Sequence, residues 1–190
     1  MTAVDPALRA ALVEHLLKHS VRRGDFTLKS GKKSAYFLDS KQTACRPDGM
    51  LLVAQAALSV IPAEATAIGG LTMGADPIAY TTAVYAATVG RSLKSFSVRK
   101  EVKDHGGGGR IAGALDPGDK VVLTEDTASR GVSILEAADV VRSEGAEPVL
   151  MLTLVDRGGT AAGYAQEAGI PYVALVTAPD LGFDYDGPVP

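Results

Sequence analysis

Apolar and polar positions along the chain alternate between two rhythms, one of period near 3.6 and one of short apolar runs. Leu8, Leu12, Leu16 and Leu17 recur at helical spacing between Pro6 and His19, with Asp5 placed to cap the start. The segment Asp25 to Asp39 is short, polar and alternating, and Ser30-Gly31 breaks it into two small strands around a turn. Helical spacing returns from Pro47 to about Ile61, with Pro47 suited to a first turn. An apolar run from Ala65 to Ile68 ends in Gly69-Gly70, and a helix is expected from about Asp76 to Thr88. Strands are then expected at Lys94 to Val98, Lys120 to Thr124, Glu147 to Val155 and Pro171 to Val176, with helices at Gly131 to Glu144 and Thr160 to Ala168. Strands alternating with helices give βαβ units, so the expected fold class is α/β with a mainly parallel sheet. In such sheets ligands bind beyond the carboxyl ends of the strands.

Composition narrows the picture without changing it. The chain has 190 residues, 46% of them hydrophobic and 22% charged, which is ordinary for one globular domain spanning 1–190. No run approaches the ~20 apolar residues that a membrane span needs, and the N-terminus does not read as a signal peptide. One cysteine, Cys45, fits a reducing compartment, so a cytoplasmic protein is expected. A net charge of −3 argues against general nucleic-acid binding.

Basic residues nevertheless cluster at Lys29 to Lys33 and at Arg99 to Lys103. Either cluster reads as a solvated face or as an anion contact. The second runs directly into Gly106 to Gly109, four glycines whose backbone entropy excludes a helix or strand interior. A mobile basic loop fits a lid over anionic groups better than an inert linker. His15 and His19 on the first helix are expected to be solvated surface residues.

Chemistry concentrates in Val121-Val122-Leu123-Thr124-Glu125-Asp126-Thr127-Ala128-Ser129-Arg130-Gly131-Val132-Ser133. An apolar strand leads into two carboxylates, then into a loop of small and hydroxyl residues, then into a helix. Amides at a helix start, with the hydroxyls of Ser129 and Ser133 and the guanidinium of Arg130, suit a phosphate. Glu125 and Asp126 would repel phosphate but can hold vicinal hydroxyls, so the combination suits a ribose phosphate. The plainer alternative is a strand, turn and helix whose acids are caps. A P-loop is excluded, because the Gly-x-x-x-x-Gly-Lys-Ser/Thr string is absent.

This stretch resembles the signature with which type I phosphoribosyltransferases bind 5-phosphoribosyl-1-pyrophosphate (PRPP), although Thr124 and Thr127 replace aliphatics and Ser129-Arg130 replaces a Thr-Thr or Thr-Ala pair. The string Arg99-Lys100-Glu101-Val102-Lys103-Asp104-His105-Gly106 resembles the flexible catalytic loop of orotate phosphoribosyltransferases in particular. Phe26 to Phe37 resembles that family's N-terminal hood, here about residues 20–40, and Leu154-Val155-Asp156-Arg157 matches a further family segment.

The resemblance implies transfer of the phosphoribosyl group of PRPP to orotate, giving orotidine 5′-phosphate and pyrophosphate in pyrimidine biosynthesis. It places Arg99, Lys100, Lys103 and His105 on the pyrophosphate, with Lys103 stabilising the leaving group and His105 either an acid or a hydrogen-bond donor. Lys29 and the loop Gly69 to Ala75 would also meet PRPP, although Thr72-Met73 stands where many relatives have Tyr-Lys. Residues Glu125, Asp126, Thr127, Ala128, Ser129, Arg130, Gly131, Val132 and Ser133 would hold the ribose 5′-phosphate. Phe37, the Leu38 backbone and Ser129 would border orotate, and Arg157 would pair with its carboxylate.

The implied cofactor is Mg²⁺, held mainly through PRPP with no dedicated protein ligand. The implied assembly is a homodimer whose loop 99–109 reaches the partner's site, with no membrane or nucleic-acid partner. Because the chain ends at Pro190, no fused decarboxylase domain is expected. Three alternatives remain at this point: a transferase for another base, a PRPP-sensing regulator without turnover, and a catalytically faded paralogue.

Overall fold

A computed structural model describes residues 3–27, 33–102, 109–129 and 131–186. Asp5 caps helix α1 (Pro6–His19), its carboxylate accepting from the amides of Ala7 and Leu8 at 2.9 and 3.1 Å. Two antiparallel strands follow, β1 (Val21–Thr27) and β2 (Lys33–Leu38), as a two-stranded hood with an irregularity between Arg23 and Phe26. Strand β1 begins four residues earlier than the polar alternation suggests, while the Ser30-Gly31 turn lies outside the described residues. A short helix α2 (Lys41–Ala44), which the sequence pattern did not announce, leads into α3 (Pro47–Val60).

The remaining elements build the main layer. They are β3 (Ala67–Leu71), α4 (Asp76–Thr88), β4 (Lys94–Val98), β5 (Ile111–Gly113), β6 (Lys120–Ala128), α5 (Val132–Ser143), β7 (Glu147–Asp156), α6 (Ala161–Glu167), β8 (Tyr172–Thr177) and a 3₁₀ turn (Pro179–Leu181). Six strands lie in the order β5-β4-β3-β6-β7-β8, parallel throughout except for β5 at one edge. The expected parallel α/β architecture is present.

Both faces of this sheet are covered, which is why its central strands read as continuous apolar runs. Val122, Leu150, Leu152 and Leu175 pack with Leu12, Leu16, Ala57 and Ile78 of α1, α3 and α4. Val121, Leu123, Met151 and Phe96 pack on the opposite face with Ile134, Ala138 and Val141 of α5. Each of these strand residues is essentially inaccessible to solvent. Area bookkeeping assigns about 1.5–3 kcal/mol to each fully buried Leu, Ile or Val side chain.

Three expectations change. Strand β3 runs through Gly69-Gly70 to Leu71 instead of stopping at the glycines, because all five residues are enclosed between β4 and β6. Strand β6 continues through the two acids to Ala128, since β7 offers it a ladder as far as Ala128↔Asp156. His15 is buried rather than solvated: its Nδ1 lies 3.1 Å from Thr43 Oγ1 and its Nε2 lies 3.3 Å from Asp48 Oδ2. It sits between Leu12 and Leu16 on the face that α2 and α3 cover, and helical spacing alone does not reveal polar partners from other elements.

Candidate active site

The site is built where β6 leaves the sheet. Period-two alternation along its end leaves Glu125 and Thr127 partly open while Thr124, Asp126 and Ala128 are buried. Glu125, Thr127, Ala128, Ser129, Gly131, Val132 and Ser133 line a pocket of about 230 Å³ at the start of α5. Gly131 enters that helix with φ of 75°, a left-handed conformation that a side chain would strain. Amides at the helix start, with the hydroxyls of Thr127, Ser129 and Ser133 nearby, provide for an anion. Arg130 lies outside the described residues.

Asp126 points the other way, toward the hood. Its Oδ2 accepts from Ser40 Oγ at 2.8 Å and from Lys41 Nζ at 2.5 Å, while Ser40 also accepts from Thr127 Oγ1 at 3.1 Å. Burial alone would raise the Asp126 carboxyl, but the hydrogen bonds from Lys41 and Ser40 overcome it and hold the group below its ordinary range. Among the described residues no lysine or hydroxyl donates to Glu125. Burial first, and the Asp126 charge second, push its carboxyl up to about 8. One carboxylate is thus kept ionised while its neighbour holds a proton near neutrality.

Ser40 and Lys41 were not singled out from the sequence. A lone lysine after a short strand carries no periodic or motif signal, and its partner lies 85 residues away.

The loop between β3 and α4 closes over the acids. A Cβ on Gly74 would meet Asp126 Oδ1 at 2.5 Å and Glu125 Oε1 at 2.7 Å, so a side chain there would push the two carboxyl groups aside. The Thr72–Met73 peptide is cis. Met73 is 67% exposed, whereas Thr72 is turned inward and donates to Asp76 Oδ2 at 2.7 Å. Asp76 also accepts from Ser97 Oγ at 2.7 Å, joining this loop to β4.

Of the basic loop residues, Arg99 and Lys100 are described and Lys103 and His105 are not. Arg99 sits just beyond β4, with its Nη1 donating to the carbonyl of Ile111 at 3.3 Å, and Lys100 is exposed. Lys29 also lies outside the described residues.

On the neighbouring strand end, the amides of Arg157 and Gly158 both donate to the carbonyl of Ala128, at 2.8 and 3.0 Å. Asp156 Oδ1 accepts from the amides of Gly158 and Gly159 at 3.1 and 2.8 Å and shapes the turn after β7. The Arg157 side chain rises into the hood. It lies over the Tyr36 ring at 4.3 Å, and its Nη2 donates to Ser34 Oγ at 3.0 Å and to the Tyr36 carbonyl at 3.2 Å. Alternation in β2 sends Ser34, Tyr36 and Leu38 inward and Phe37 outward, where its ring stands 5.7 Å from that of Phe26. Arg157 and Phe37 therefore belong to opposite faces of the hood strand.

A pocket that offers amides to an anion, with carboxylates for hydroxyl groups immediately upstream, suits a sugar phosphate. Set at the carboxyl ends of a parallel sheet, it defines the class: a type I phosphoribosyltransferase. No family model matches the chain. The orotate phosphoribosyltransferase of Rhodopirellula baltica is 38% identical over 183 residues, 92% of this chain and 94% of that protein. That of Methanosarcina mazei is 40% identical over 163 residues, 85% and 84% of the two chains. The crystal structure of Mycobacterium tuberculosis orotate phosphoribosyltransferase in complex with PRPP has a TM-score of 0.77 at 31% identity, covering 93% of this chain and 99% of that one. The chain belongs to the orotate phosphoribosyltransferase family, as its basic loop and hood implied.

Proposed function

We propose that this chain joins orotate to PRPP through the residues gathered at the ends of β6 and β7. The ring nitrogen of orotate loses its proton to solvent and forms a bond to C1 of the ribose. The bond from C1 to the pyrophosphate oxygen breaks, and its electron pair leaves with pyrophosphate. The pocket at Thr127 to Ser133 holds the 5′-phosphate, and Asp126, kept ionised by Lys41, accepts from a ribose hydroxyl. Arg157 reads the orotate carboxylate, for which its planar fork is suited, and Ser129 and the Leu38 backbone border the ring, while Phe37 faces away on the other side of β2. Arg99, Lys100, Lys103 and His105 offset charge on the departing pyrophosphate and exclude water. The roles of Lys29, Lys103, His105 and Arg130 rest on the family resemblance, since these residues lie outside the described ones.

Carboxylate and hydroxyl groups around Gly74 form a hard-oxygen donor set that fits Mg²⁺. Because Lys41 and Ser40 already occupy one oxygen of Asp126 and burial keeps Glu125 protonated near neutrality, the ion would be held chiefly by PRPP, with the second oxygen of Asp126 as the nearest charged group. When bound, it neutralises charge on the pyrophosphate. A cytoplasmic homodimer, with loop 99–109 shared between subunits, completes the proposal. Among the described residues no helix is long and apolar enough to cross a membrane.

The observation that supports this reading is the pairing of Ala128 with Asp156, which brings the pocket at the start of α5 and the Arg157 guanidinium to adjacent strand ends. Orotate consumption is followed by absorbance with PRPP and Mg²⁺, comparing wild type with Lys103→Ala. Turnover that falls by about two orders of magnitude in the variant, as for loss of one charge-stabilising group, supports the assignment. Absence of turnover with orotate, while uracil or a purine is consumed, overturns it.

A further inference from the structure

The chain beyond β8 folds back over the hood. Leu181 of the 3₁₀ turn is buried, and Asp180 accepts from Arg9 at 2.5 Å. Phe183 stacks on Tyr36 with ring centroids 3.9 Å apart, and Arg23 lies over the Phe183 ring at 4.7 Å. Three residues later, the Asp186 amide donates to the Arg157 carbonyl at 2.9 Å, and its carboxylate accepts from Arg157 Nε. The two charged side chains are enclosed, with 8% of Arg157 and 17% of Asp186 exposed. A cleft of about 530 Å³ runs between hood and tail, lined by Ser34, Tyr36, Phe183 and Asp186 among others.

The consequence for Arg157 is chemical. A guanidinium reads a carboxylate by presenting two parallel N–H groups. Here Nε is taken by Asp186, and Nη2 is shared between Ser34 and the Tyr36 carbonyl. The positive charge that would attract an anionic base is already balanced by a carboxylate, the same group the base carries. A second carboxylate brought to this guanidinium would meet Asp186 as a like charge. At 6% exposure, Arg157 cannot be reached without displacing something.

We propose that Asp186 stands in for the carboxylate of the incoming base, and that residues 182–186 form a strap which orotate displaces on binding. This rests on the reading that Arg157 binds the orotate carboxylate. The pair protects Arg157 from being buried without a partner while the site is empty. It also sets the affinity for the base, because only the fraction of molecules with an open strap accepts orotate. A strap closed about nine times in ten weakens apparent binding about tenfold.

Steady-state kinetics of the full chain test this with Asp186→Asn, which keeps the shape and removes the charge, and with Phe183→Ala, which loosens the strap without touching Arg157. Both are expected to lower the KM for orotate, Asp186→Asn by about tenfold, while kcat and the KM for PRPP stay within about twofold. Orotate should also raise the Tm of Asp186→Asn more than that of wild type, which reads binding without turnover. A raised or unchanged orotate KM in Asp186→Asn overturns the proposal, because the aspartate would then orient Arg157 or be inert. Arg157→Gln separates the two levels. If it leaves the orotate KM unaltered, the assignment of Arg157 fails; if it raises that KM while Asp186→Asn does not lower it, the strap alone fails.

Discussion

Removing the amine of Lys41 tests the division of labour between the two acids. In Lys41→Met the stem is kept and the charge is lost, so Asp126 retains only Ser40 Oγ as a side-chain donor to its Oδ2. A hydrogen bond to a charged group contributes about 1.5–3 kcal/mol. The Lys41 side chain is 41% exposed, and solvent screening reduces its share to about 1–1.5 kcal/mol, or about tenfold in an equilibrium constant. Burial, opposed by one donor fewer, moves the Asp126 carboxyl upward by about one pH unit, so the ribose hydroxyl keeps its ionised acceptor at neutral pH and loses it earlier on acidification. The KM for PRPP should stay within about twofold near pH 7, and the acid limb of PRPP affinity should move upward by about one pH unit with kcat much less affected. Initial rates from the acid limb to neutral pH, at saturating orotate, measure both. An unshifted acid limb would refute the view that Lys41 keeps Asp126 ionised.

Other outcomes follow from the same geometry. Gly74→Ala places a methyl group within 2.5–2.7 Å of both acid side chains, so PRPP turnover should fall by at least about tenfold, a misplacement effect of modest size, while circular dichroism stays unchanged. Glu125 has its folded-state carboxyl raised from 4.5 to about 8, so the folded chain binds more protons than the unfolded one within that window and loses stability as pH rises through it. The ligand-free Tm should decline between pH 5 and 8 by up to about 1.4 kcal/mol per pH unit, roughly 2–4 °C per kcal/mol in a chain of this size, and Glu125→Gln should flatten the decline.

Much of the fold was legible because its signals are local. The strand Lys94 to Val98 falls where the sequence pattern placed it, and the helix ends lie within one or two residues of the caps and prolines. The turn that lines the pocket at the start of α5 was legible for the same reason: strand, acids, hydroxyl loop and helix are contiguous. What escaped depends on long-range pairing. The extension of β6 to Ala128 is decided by the ladder that β7 provides, and the burial of His15 by helices packed from elsewhere. Ser40, Lys41 and Asp186 act on partners at least 29 residues away. A single sequence shows such residues only as ordinary polar positions in loops.

The twin amides of Arg157 and Gly158 on the Ala128 carbonyl turn the end of the sheet into a ruler. On the proposed function, phosphate pocket and base reader are fastened to one another through a single peptide group, so the span between them would be set by strand register and not by loop adjustment. The rigid sheet would then measure the nucleotide along its length, from 5′-phosphate toward base. Tolerance for a larger or smaller base is left to the hood and the tail, which close on Arg157 from the opposite side. Drift in base preference among related chains should accordingly accumulate in β2 and beyond β8, while the junction of β6 and β7 keeps its dimensions.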